Sequence, residues 1–392
     1  MRMTEMAGGA AQALPVVSRR VLVIGGTARS LSNFRGPLLK LLGERGHRIV
    51  AAAHPDASAE GVRRELAALS IPFEPLAIGR GGLDPLEDWR TARAIRALIA
   101  RHAPEVVIAY TAKPVIYAGL ALHDHPGVRF HPMITGLGYA FSEARGVKRI
   151  LLHALLTRLY RRSLANAHTT IFQNPDDQAL FRECGLLAPT ARSAVVDGSG
   201  VDAALFPPRP LPREPVFLML ARLMVEKGVR VYVEAARLVH ERYPQARFQL
   251  AGALDPNPSS VRPAELAAWQ AAGDIEYLGK LESVQAALAA CRCYVLPSWY
   301  REGIPRSVLE AMATGRPIIT TDSPGCRETV EPGINGWRVE PRSARALADA
   351  MLALIEADET TVTAMARASL AQVERRYDVR RVNRQLLEIT QL

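Results

Sequence analysis

The segment PSWYREGIPRSVLEAMATGRPIITTDSPGCRETV, residues 297–330, contains two predicted strands separated by a loop and a helix. The first strand ends at its leading proline, the helix is predicted over residues 307–314, and the second strand over residues 317–321. Pro305 stands at the start of this helix and Gly315 just past its end, and these are the residue types preferred at those two positions. A strand, a helix and a strand in this order are typical of a parallel sheet with helices on its faces.

The same alternation extends over the whole chain. Further strands are predicted at residues 21–24, 48–53, 105–110, 128–134, 167–173, 216–221, 247–251 and 293–297. Further helices are predicted at residues 38–45, 89–101, 229–242 and 284–290. Two successive series of this kind predict an α/β fold with two Rossmann-like, doubly wound domains that face each other across a cleft. Ligands of such sheets bind at the carboxyl ends of the strands.

A proline-rich segment marks the boundary between the two series. Residues 207–215 read PPRPLPREP and are predicted to form a stiff linker. We therefore predict an N-terminal domain over residues 19–206 and a C-terminal domain over residues 207–376. Residues 1–18 lack a continuous apolar core and are expected to be a flexible tail rather than a signal peptide.

Composition limits the possible functions. The chain has 392 residues, 49 lysines and arginines against 39 acidic residues, and a net charge of +10, which favours anionic partners. Aromatic residues make up only 6% and the basic residues are spread over many helices, so nucleic-acid binding is not expected. The four cysteines lack the spacing of a zinc site and are expected to be free thiols. No apolar run reaches the length that spans a bilayer.

The loop before the helix at 307–314 has the features of a phosphate site. Free backbone N–H groups and the positive end of the helix dipole favour a bound diphosphate there. Two carboxylates, Glu302 and Glu310, flank this loop and can accept hydrogen bonds from sugar or ribose hydroxyls. The alternative is that both are ordinary surface glutamates. The loop consists of Gly303, Ile304, Pro305, Arg306 and Ser307.

Two cations follow the predicted strand at 216–221. Arg222 and Lys227 stand at the carboxyl end of this strand, where they can neutralise charge that builds up on a departing diphosphate. The alternative is that both are solvated surface cations.

Three motifs in this order resemble the retaining glycosyltransferases of the two-Rossmann-domain (GT-B) type, family four. They are Glu302 with Glu310, Arg222 with Lys227, and the tripeptide at residues 200–202. The resemblance extends from Val21 to about Leu387 and implies a nucleotide-sugar donor, expected to be a UDP-sugar, with no cofactor and no metal ion. It also implies that a final helix, at about residues 377–392, crosses back to the first domain.

The resemblance implies a role for each motif residue. Glu302 contacts the donor sugar and acts in catalysis together with Arg222 and Lys227, which hold the diphosphate, while Glu310 binds the ribose. The other expected donor-binding residues are the loop residues 303–307, a segment near the base, and two residues of a later loop. These additional residues are Gly279, Lys280, Leu281, Gly325 and Glu328.

The first domain resembles a subgroup that acts on undecaprenyl-diphosphate-linked sugars, which includes acetylgalactosaminyl transferases of protein glycosylation and capsule assembly. The resemblance lies in a glycine loop at 25–36, which lacks the third glycine of a dinucleotide fingerprint, and in YTAKP, TGLG and QNPDD. We expect the acceptor to contact Gly26, Asn33, Arg35, Lys113, Thr135 and Gly136. For Lys113, a surface position is the alternative to contact with an acceptor phosphate.

The general base remains unassigned. Many family members carry a catalytic histidine where this chain has Thr135, and His131 lies four residues earlier inside the predicted strand. In retaining enzymes of this type the departing diphosphate can itself take the acceptor proton.

A basic segment at residues 144–168 is predicted to form an amphipathic helix on an anionic membrane surface. Its leucines recur at helical spacing, and a core-packed helix with solvated arginines is the alternative. The basic residues are Arg145, Lys148, Arg149, Arg158, Arg161 and Arg162.

The predicted function is transfer of a sugar, an N-acetylhexosamine or a hexose, from a UDP-sugar to a polyprenyl-diphosphate-linked acceptor in envelope polysaccharide or glycoprotein assembly. The protein is expected in the cytoplasm, on the inner face of a bacterial plasma membrane. A nucleotide-sugar epimerase of the same fold is the alternative, but it would not need the basic helix.

Overall fold

The computed structural model of the protein describes residues 17–79, 84–137, 147–254 and 259–392, with the backbone alone for 147–152. The predicted tail at residues 1–18 therefore lies almost wholly outside the described residues.

The N-terminal domain is built on a seven-stranded parallel sheet with the strand order β3-β2-β1-β4-β5-β6-β7. Its strands are β1 (Arg20–Thr27), β2 (Arg48–His54), β3 (Phe73–Pro75), β4 (Val106–Tyr110), β5 (Arg129–Ile134), β6 (Thr170–Phe172) and β7 (Ser193–Val195). Its helices are α1 (Ala28–Glu44), α2 (Ala59–Ala68), α3 (Pro85–His102), α4 (Ala112–Ala121), α5 (Val147–Leu164) and α6 (Pro175–Glu183).

The C-terminal domain is built on a six-stranded parallel sheet with the strand order β10-β9-β8-β11-β12-β13. Its strands are β8 (Val216–Leu220), β9 (Arg247–Ala251), β10 (Glu276–Tyr277), β11 (Cys293–Leu296), β12 (Ile318–Thr321) and β13 (Gly336–Val339). The helices that follow β8 are α7 (Val229–His240), α8 (Pro263–Ala271), α9 (Gln285–Ala290), α10 (Arg306–Ala313), α11 (Ala344–Glu356), α12 (Glu359–Gln372) and α13 (Val379–Thr390).

Each sheet has a point where the strand order reverses. In the first sheet this point lies between β1 and β4, which pair in parallel with Val23 opposite Ile108. In the second it lies between β8 and β11, where Leu218 pairs with Tyr294. A crevice opens at the carboxyl ends of the strands at such a point, and this is where open α/β sheets bind ligands. The predicted fold class, two Rossmann-like domains, is confirmed.

The last helix, α13, packs against the first domain. Val382, Leu386 and Leu387 are buried in the same apolar cluster as Val23 and Leu39 of β1 and α1. The chain therefore leaves the second domain and returns to the first.

The segment between the domains is held by buried arginines. Arg316 is fully buried and donates to the carbonyls of Arg209 and Pro210 at 2.8 and 3.0 Å. Arg292 donates to the Pro212 carbonyl at 2.7 Å. These bonds to a charged donor fix the proline-rich segment on the second domain.

The start of α1 differs from the sequence prediction. Residues 25–36 were expected to be a glycine loop and the helix to begin near residue 38, but α1 begins at Ala28. The Thr27 N–H donates to Ser30 Oγ at 3.4 Å, and this hydroxyl donates to the Thr27 carbonyl at 2.6 Å, which closes the first turn. Pro37 lies inside the helix, where it leaves the carbonyl four residues earlier without its helical partner.

Candidate active site

A cavity of about 320 Å³ lies between the two domains at the reversal points of both sheets. The first domain contributes residues that follow β1, β4, β5 and β6, and the second domain contributes the ends of β8 and β11 and the start of α10. The residues that line it are Ser30, Phe34, Arg35, Tyr110, Thr111, Thr135, Gln173, Ser199, Leu220, Ala221, Lys227, Leu296, Glu302, Gly303, Ile304, Pro305, Arg306 and Ser307.

An ion pair between Lys227 and Glu302 forms one wall of the cavity. Their side chains are only 15% and 11% exposed, and Ser298 Oγ donates to the same Glu302 oxygen at 2.9 Å. The turn that presents Lys227 ends at Gly228, which has a φ of 85°. A Cβ atom on Gly228 would collide with the Pro297 carbonyl, so the close approach of this turn to the end of β11 requires glycine.

The first turn of α10 forms part of the cavity wall. The first backbone hydrogen bond of this helix runs from the Val308 N–H to the Pro305 carbonyl at 3.1 Å. The N–H groups of Arg306 and Ser307 precede it, at the positive end of the helix dipole. The Tyr294 hydroxyl donates to Ser307 Oγ at 2.7 Å and fixes this turn against β11. This arrangement suits an anionic group such as a diphosphate.

Glu310 lies one turn further along α10 and is paired with Arg306. The distance from Arg306 Nε to Glu310 Oε1 is 2.9 Å. Burial raises the pKa of Glu310, and Arg306 opposes this rise. A second donor of Arg306 binds the carbonyl of Asn33 in α1, which is the carbonyl that Pro37 leaves without a helical partner. Arg306 thus connects α1 of the first domain with the carboxylate expected at the ribose.

Arg35 is a buried cation on the first-domain side of the cavity. Its side chain is 2% exposed, and its guanidinium lies 5.1 Å from the ring centroid of Tyr110. The Tyr110 hydroxyl is 2.9 Å from Ser30 Oγ. Burial lowers the pKa of Arg35 to about 10. The guanidinium therefore stays protonated at neutral pH.

The loop that carries Glu302 is held by the first domain through main-chain contacts. Glu302 forms an antiparallel bridge with Gly136, and the Leu137 N–H donates to the Arg301 carbonyl at 3.2 Å. A Cβ atom on Gly303 would collide with the side-chain oxygen of Gln173. Gly303 is therefore in close contact with the Gln173 side chain and the Thr135 backbone.

Side chains from the start of α6 hold the same loop. The Asn174 amide donates to the carbonyls of Glu302 and Gly303 at 2.9 and 3.3 Å. Asp177 is fully buried and accepts from Arg301 Nη2 at 3.1 Å. Burial raises the pKa of Asp177 to about 6, although Arg301 and Asn174 oppose the shift. We call Asn174, Asp177 and Arg301 the interdomain clamp.

Several predicted donor residues lie outside the set that lines the cavity. Arg222 follows Ala221 at the end of β8. Gly279 has a φ of 71°, and its carbonyl accepts from the Gly252 N–H at 2.9 Å. Lys280 and Leu281 follow it, so all three residues lie near the carboxyl ends of β9 and β10.

Gly325 and Glu328 lie behind the Glu302 loop. Gly325 has a φ of 82°, and a Cβ atom there would collide with the Gly303 carbonyl. Burial raises the pKa of Glu328 to about 7. Gly325 thus packs directly against the loop, and its N–H group bonds to the Glu328 carboxylate.

The predicted acceptor residues divide into two groups. Arg35 and Thr135 line the cavity, whereas Asn33 and Gly136 bind residues of the second domain through their backbones. Gly26 lies against Thr111, which lines the cavity.

Lys113 lies outside this set. Its ammonium group is 2.8 Å from Asp88 Oδ1, and both side chains are largely buried. The pair joins α4 to α3 outside the cavity lining, and contact between Lys113 and an acceptor phosphate stays a prediction.

His131 has the buried position that the sequence indicated. It is fully buried in β5, and burial lowers its pKa to about 3. A ring in this position stays neutral and does not line the cavity.

The basic helix α5 is described only in part. Arg145 lies outside the described residues, and Lys148 and Arg149 are described by their backbone alone. Arg158, Arg161 and Arg162 are exposed, and Arg161 donates to the carbonyls at the end of α6.

The leucines of α5 face two ways. Leu156 and Leu159 pack against the core of the first domain, while Leu155 is 43% exposed. Within the described part of the chain, each helix is too short or too polar to cross a bilayer.

Sequence reasoning missed the interdomain clamp. The run QNPDD was noted, and its asparagine before a proline is a typical helix start, which α6 confirms. Nothing in the sequence relates Asp177 to Arg301, because the two residues are 124 positions apart.

Comparison with known proteins identifies the two domains. A model described as "Glycosyl transferase 4-like domain" matches residues 33–197, and one described as "Glycosyl transferases group 1" matches residues 214–357. The N,N'-diacetylbacillosaminyl-diphospho-undecaprenol alpha-1,3-N-acetylgalactosaminyltransferase of Campylobacter jejuni is 26% identical, covering 86% of this chain and 89% of that protein.

Solved structures share the fold. Sucrose-phosphate synthase from Thermosynechococcus elongatus has a TM-score of 0.77 at 17% identity and covers 95% of this chain and 98% of its own. Anabaena HepE in complex with UDP-glucose has a TM-score of 0.72 at 20% identity and covers 94% and 98%. The family predicted from the sequence is confirmed: the chain belongs to the group 1, 4-like glycosyltransferases and is a glycosyltransferase.

Proposed function

We propose that the enzyme transfers a hexose or N-acetylhexosamine from a UDP-sugar to a sugar on a polyprenyl diphosphate, with retention of the anomeric configuration. The observation that carries this proposal is the cavity between the two sheet reversal points, which has the Lys227–Glu302 pair and the α10 start on one wall. The name of the Campylobacter relative, which acts on an undecaprenol-linked diphosphate sugar, supports the acceptor class. The UDP-glucose complex of HepE supports the donor class.

The donor fits the second-domain wall. Its diphosphate would lie at the α10 start, with Lys227 and Arg222 as countercharges, so the proposal needs neither a metal ion nor a cofactor. Glu302 would accept hydrogen bonds from the sugar and Glu310 from the ribose, while the base would lie near residues 279–281. Glu310 is now paired with Arg306, so this arginine would shift toward the diphosphate when ribose binds.

The transfer step breaks the bond between the anomeric carbon and the diphosphate oxygen, and its electron pair stays on that oxygen. The acceptor hydroxyl oxygen forms a bond to the same carbon on the same face. The hydroxyl proton passes to the departing diphosphate oxygen. Lys227 and the α10 start stabilise the negative charge that develops there, where the surroundings are largely shielded from water.

The acceptor would enter from the first-domain wall, past Thr135 and Thr111. Its hydroxyl would then approach the donor sugar beside Glu302. A lipid-linked acceptor requires the enzyme to work at a membrane surface, and we place it on the cytoplasmic face of the inner membrane. The product would extend a glycan of an envelope polysaccharide or glycoprotein.

Incubation of the purified protein with a panel of UDP-sugars and a short polyprenyl-diphosphate sugar tests this function. We expect a product with one added sugar, an anomeric configuration equal to that of the donor by NMR, and activity that persists in EDTA. Isomerisation of the UDP-sugar without transfer would instead indicate an epimerase. Failure with every donor of the panel would contradict the proposal.

Replacement of Glu310 by alanine is expected to weaken UDP binding by roughly 10- to 100-fold, because a hydrogen bond to a charged group contributes about 1.5–3 kcal/mol. Isothermal titration calorimetry with UDP measures this change. Glu241→Ala, an exposed glutamate of the same domain, is the matched control. Equal affinity of the Glu310 variant and the control would exclude the ribose contact.

Charge reversal of Arg158 and Arg162 is expected to release the protein from vesicles that contain anionic lipid, since each basic residue near such a surface contributes about 1 kcal/mol. Both side chains are exposed on α5. Vesicle sedimentation measures binding, and Arg345→Glu with Arg367→Glu on the second domain is the matched control. Unchanged sedimentation would place the membrane surface elsewhere.

A further inference from the structure

The buried guanidinium of Arg35 lies in the cavity wall without a counter-ion. Its Nε and Nη1 atoms are shielded from solvent and have no hydrogen-bond partner among the described residues. None of the ion pairs found in the described part of the chain includes Arg35; its neighbour is the neutral ring of Tyr110. A charge removed from water without a partner is strongly unfavourable, so the folded protein carries an uncompensated cost at this point.

The other charged residues that line the cavity form ion pairs. Lys227 is paired with Glu302, and Arg306 is paired with Glu310. Arg306 also repels Arg35, and the two effects that lower the pKa of Arg35 are burial and this repulsion. Among the described residues that line the cavity, Arg35 is thus the cation without an ion-pair partner, and it is located on the first-domain wall.

The groups around Arg35 suit a phosphate. The Thr111 hydroxyl lines the same wall, beside the Ser30 and Tyr110 hydroxyls that bond to each other, and it can donate to a phosphate oxygen. A guanidinium presents parallel N–H groups that match two oxygens of one phosphate. The described residues of this wall contribute no carboxylate to the cavity lining, so they would not repel an anion.

We propose that Arg35 binds a phosphate group of a substrate and that this phosphate supplies its missing counter-ion. This inference rests on the proposed function, and it extends that function by giving the first domain a phosphate contact of its own. The phosphate has two chemical sources, the diphosphate of the nucleotide donor and the diphosphate that links the acceptor to its lipid. The two sources differ in the ligand that loses affinity when Arg35 is replaced.

The test compares the wild type, Arg35→Met and Arg35→Lys in binding to UDP and to farnesyl diphosphate, a short prenyl diphosphate. Arg35→Met keeps much of the side-chain volume and removes the charge. We expect about a tenfold or greater loss of affinity for one ligand and partial recovery in Arg35→Lys. Loss for UDP assigns the phosphate to the donor, and loss for farnesyl diphosphate assigns it to the acceptor.

A stability measurement separates this role from a structural one. Because the unmatched charge opposes folding, ligand-free Arg35→Met is expected to melt at a higher temperature than the wild type, with a smaller rise on adding the ligand. Arg64→Met, an exposed arginine of α2, is the matched control and should change neither value. A lower melting temperature of the ligand-free variant would overturn the proposal.

The binding results also separate the role of Arg35 from the proposed function. If the wild type binds both ligands and Arg35→Met binds them within twofold of it, the role of Arg35 is wrong and the proposed function stands. If the wild type binds neither ligand, the proposed function itself fails. Should Arg35→Met not fold, Arg35→Lys gives the same comparison, because its single ammonium cannot reproduce the paired contact.

Discussion

Replacement of Lys227 by alanine is expected to lower kcat by about two to three orders of magnitude. This is the effect of removing one preorganised group that stabilises charge in a transition state. Lys227 is a second-domain cation that lines the cavity beside the α10 start, and its side chain is 15% exposed. Its attraction to the departing diphosphate is therefore only weakly screened by water. Removal also leaves the Glu302 carboxylate without its countercharge.

The kinetic pattern tests the role of Lys227 more sharply than the rate alone. The charge on the diphosphate increases as the glycosidic bond breaks, so kcat should fall more than the affinity for UDP. Lys227→Arg should recover part of kcat, and Lys40→Ala, an exposed lysine of α1, should not change it. A Lys227→Ala enzyme with a wild-type kcat, or with a loss confined to KM, would contradict transition-state stabilisation by this group.

Much of the second-domain site could be predicted from local sequence. Glu302 and Glu310 belong to one strand–loop–helix unit. Pro305 and Gly315 flank the helix, and the boundaries predicted from them agree with those of α10 within one residue. Local patterns are reliable here because the chain itself, rather than distant contacts, determines where a helix begins. Lys227 likewise follows β8 closely along the chain, at the end of the short helical turn Val225–Lys227.

Contacts between distant segments could not be predicted. The glycines of residues 25–36 indicated a loop, yet α1 begins at Ala28, and the carbonyl freed by Pro37 binds Arg306 of the other domain. Lys113 follows β4 as the motif suggested, but its ammonium group is paired with Asp88 of α3. In each case the bonding partner is distant in the sequence and comes near only in the tertiary structure. Helix propensity and hydrophobic periodicity therefore cannot identify it.

Replacement of a residue of the interdomain clamp is expected to have a large effect on stability. Arg301→Ala is expected to lower the free energy of unfolding by about 3–5 kcal/mol at pH 8, because it leaves the buried Asp177 carboxylate without its countercharge. Burial raises the pKa of Asp177 from its ordinary 3.8 to about 6. This carboxyl therefore favours folding most below pH 3.8 and loses that contribution as the pH rises through about 6. At pH 5 the proton removes the unpaired charge, so the penalty of Arg301→Ala should be smaller there.

A second variant separates the charge from the position of the loop. Asp177→Asn in the Arg301→Ala background removes the ionisable group, so urea unfolding at pH 8 should recover most of the lost stability. The kcat should not recover, because Glu302 would still lack the support that Arg301 gives its loop from α6. Equal stability losses at pH 5 and pH 8, unaffected by Asp177→Asn, would show that the pair does not act through its charge. Recovery of kcat together with stability would show that the clamp supports the fold without positioning Glu302.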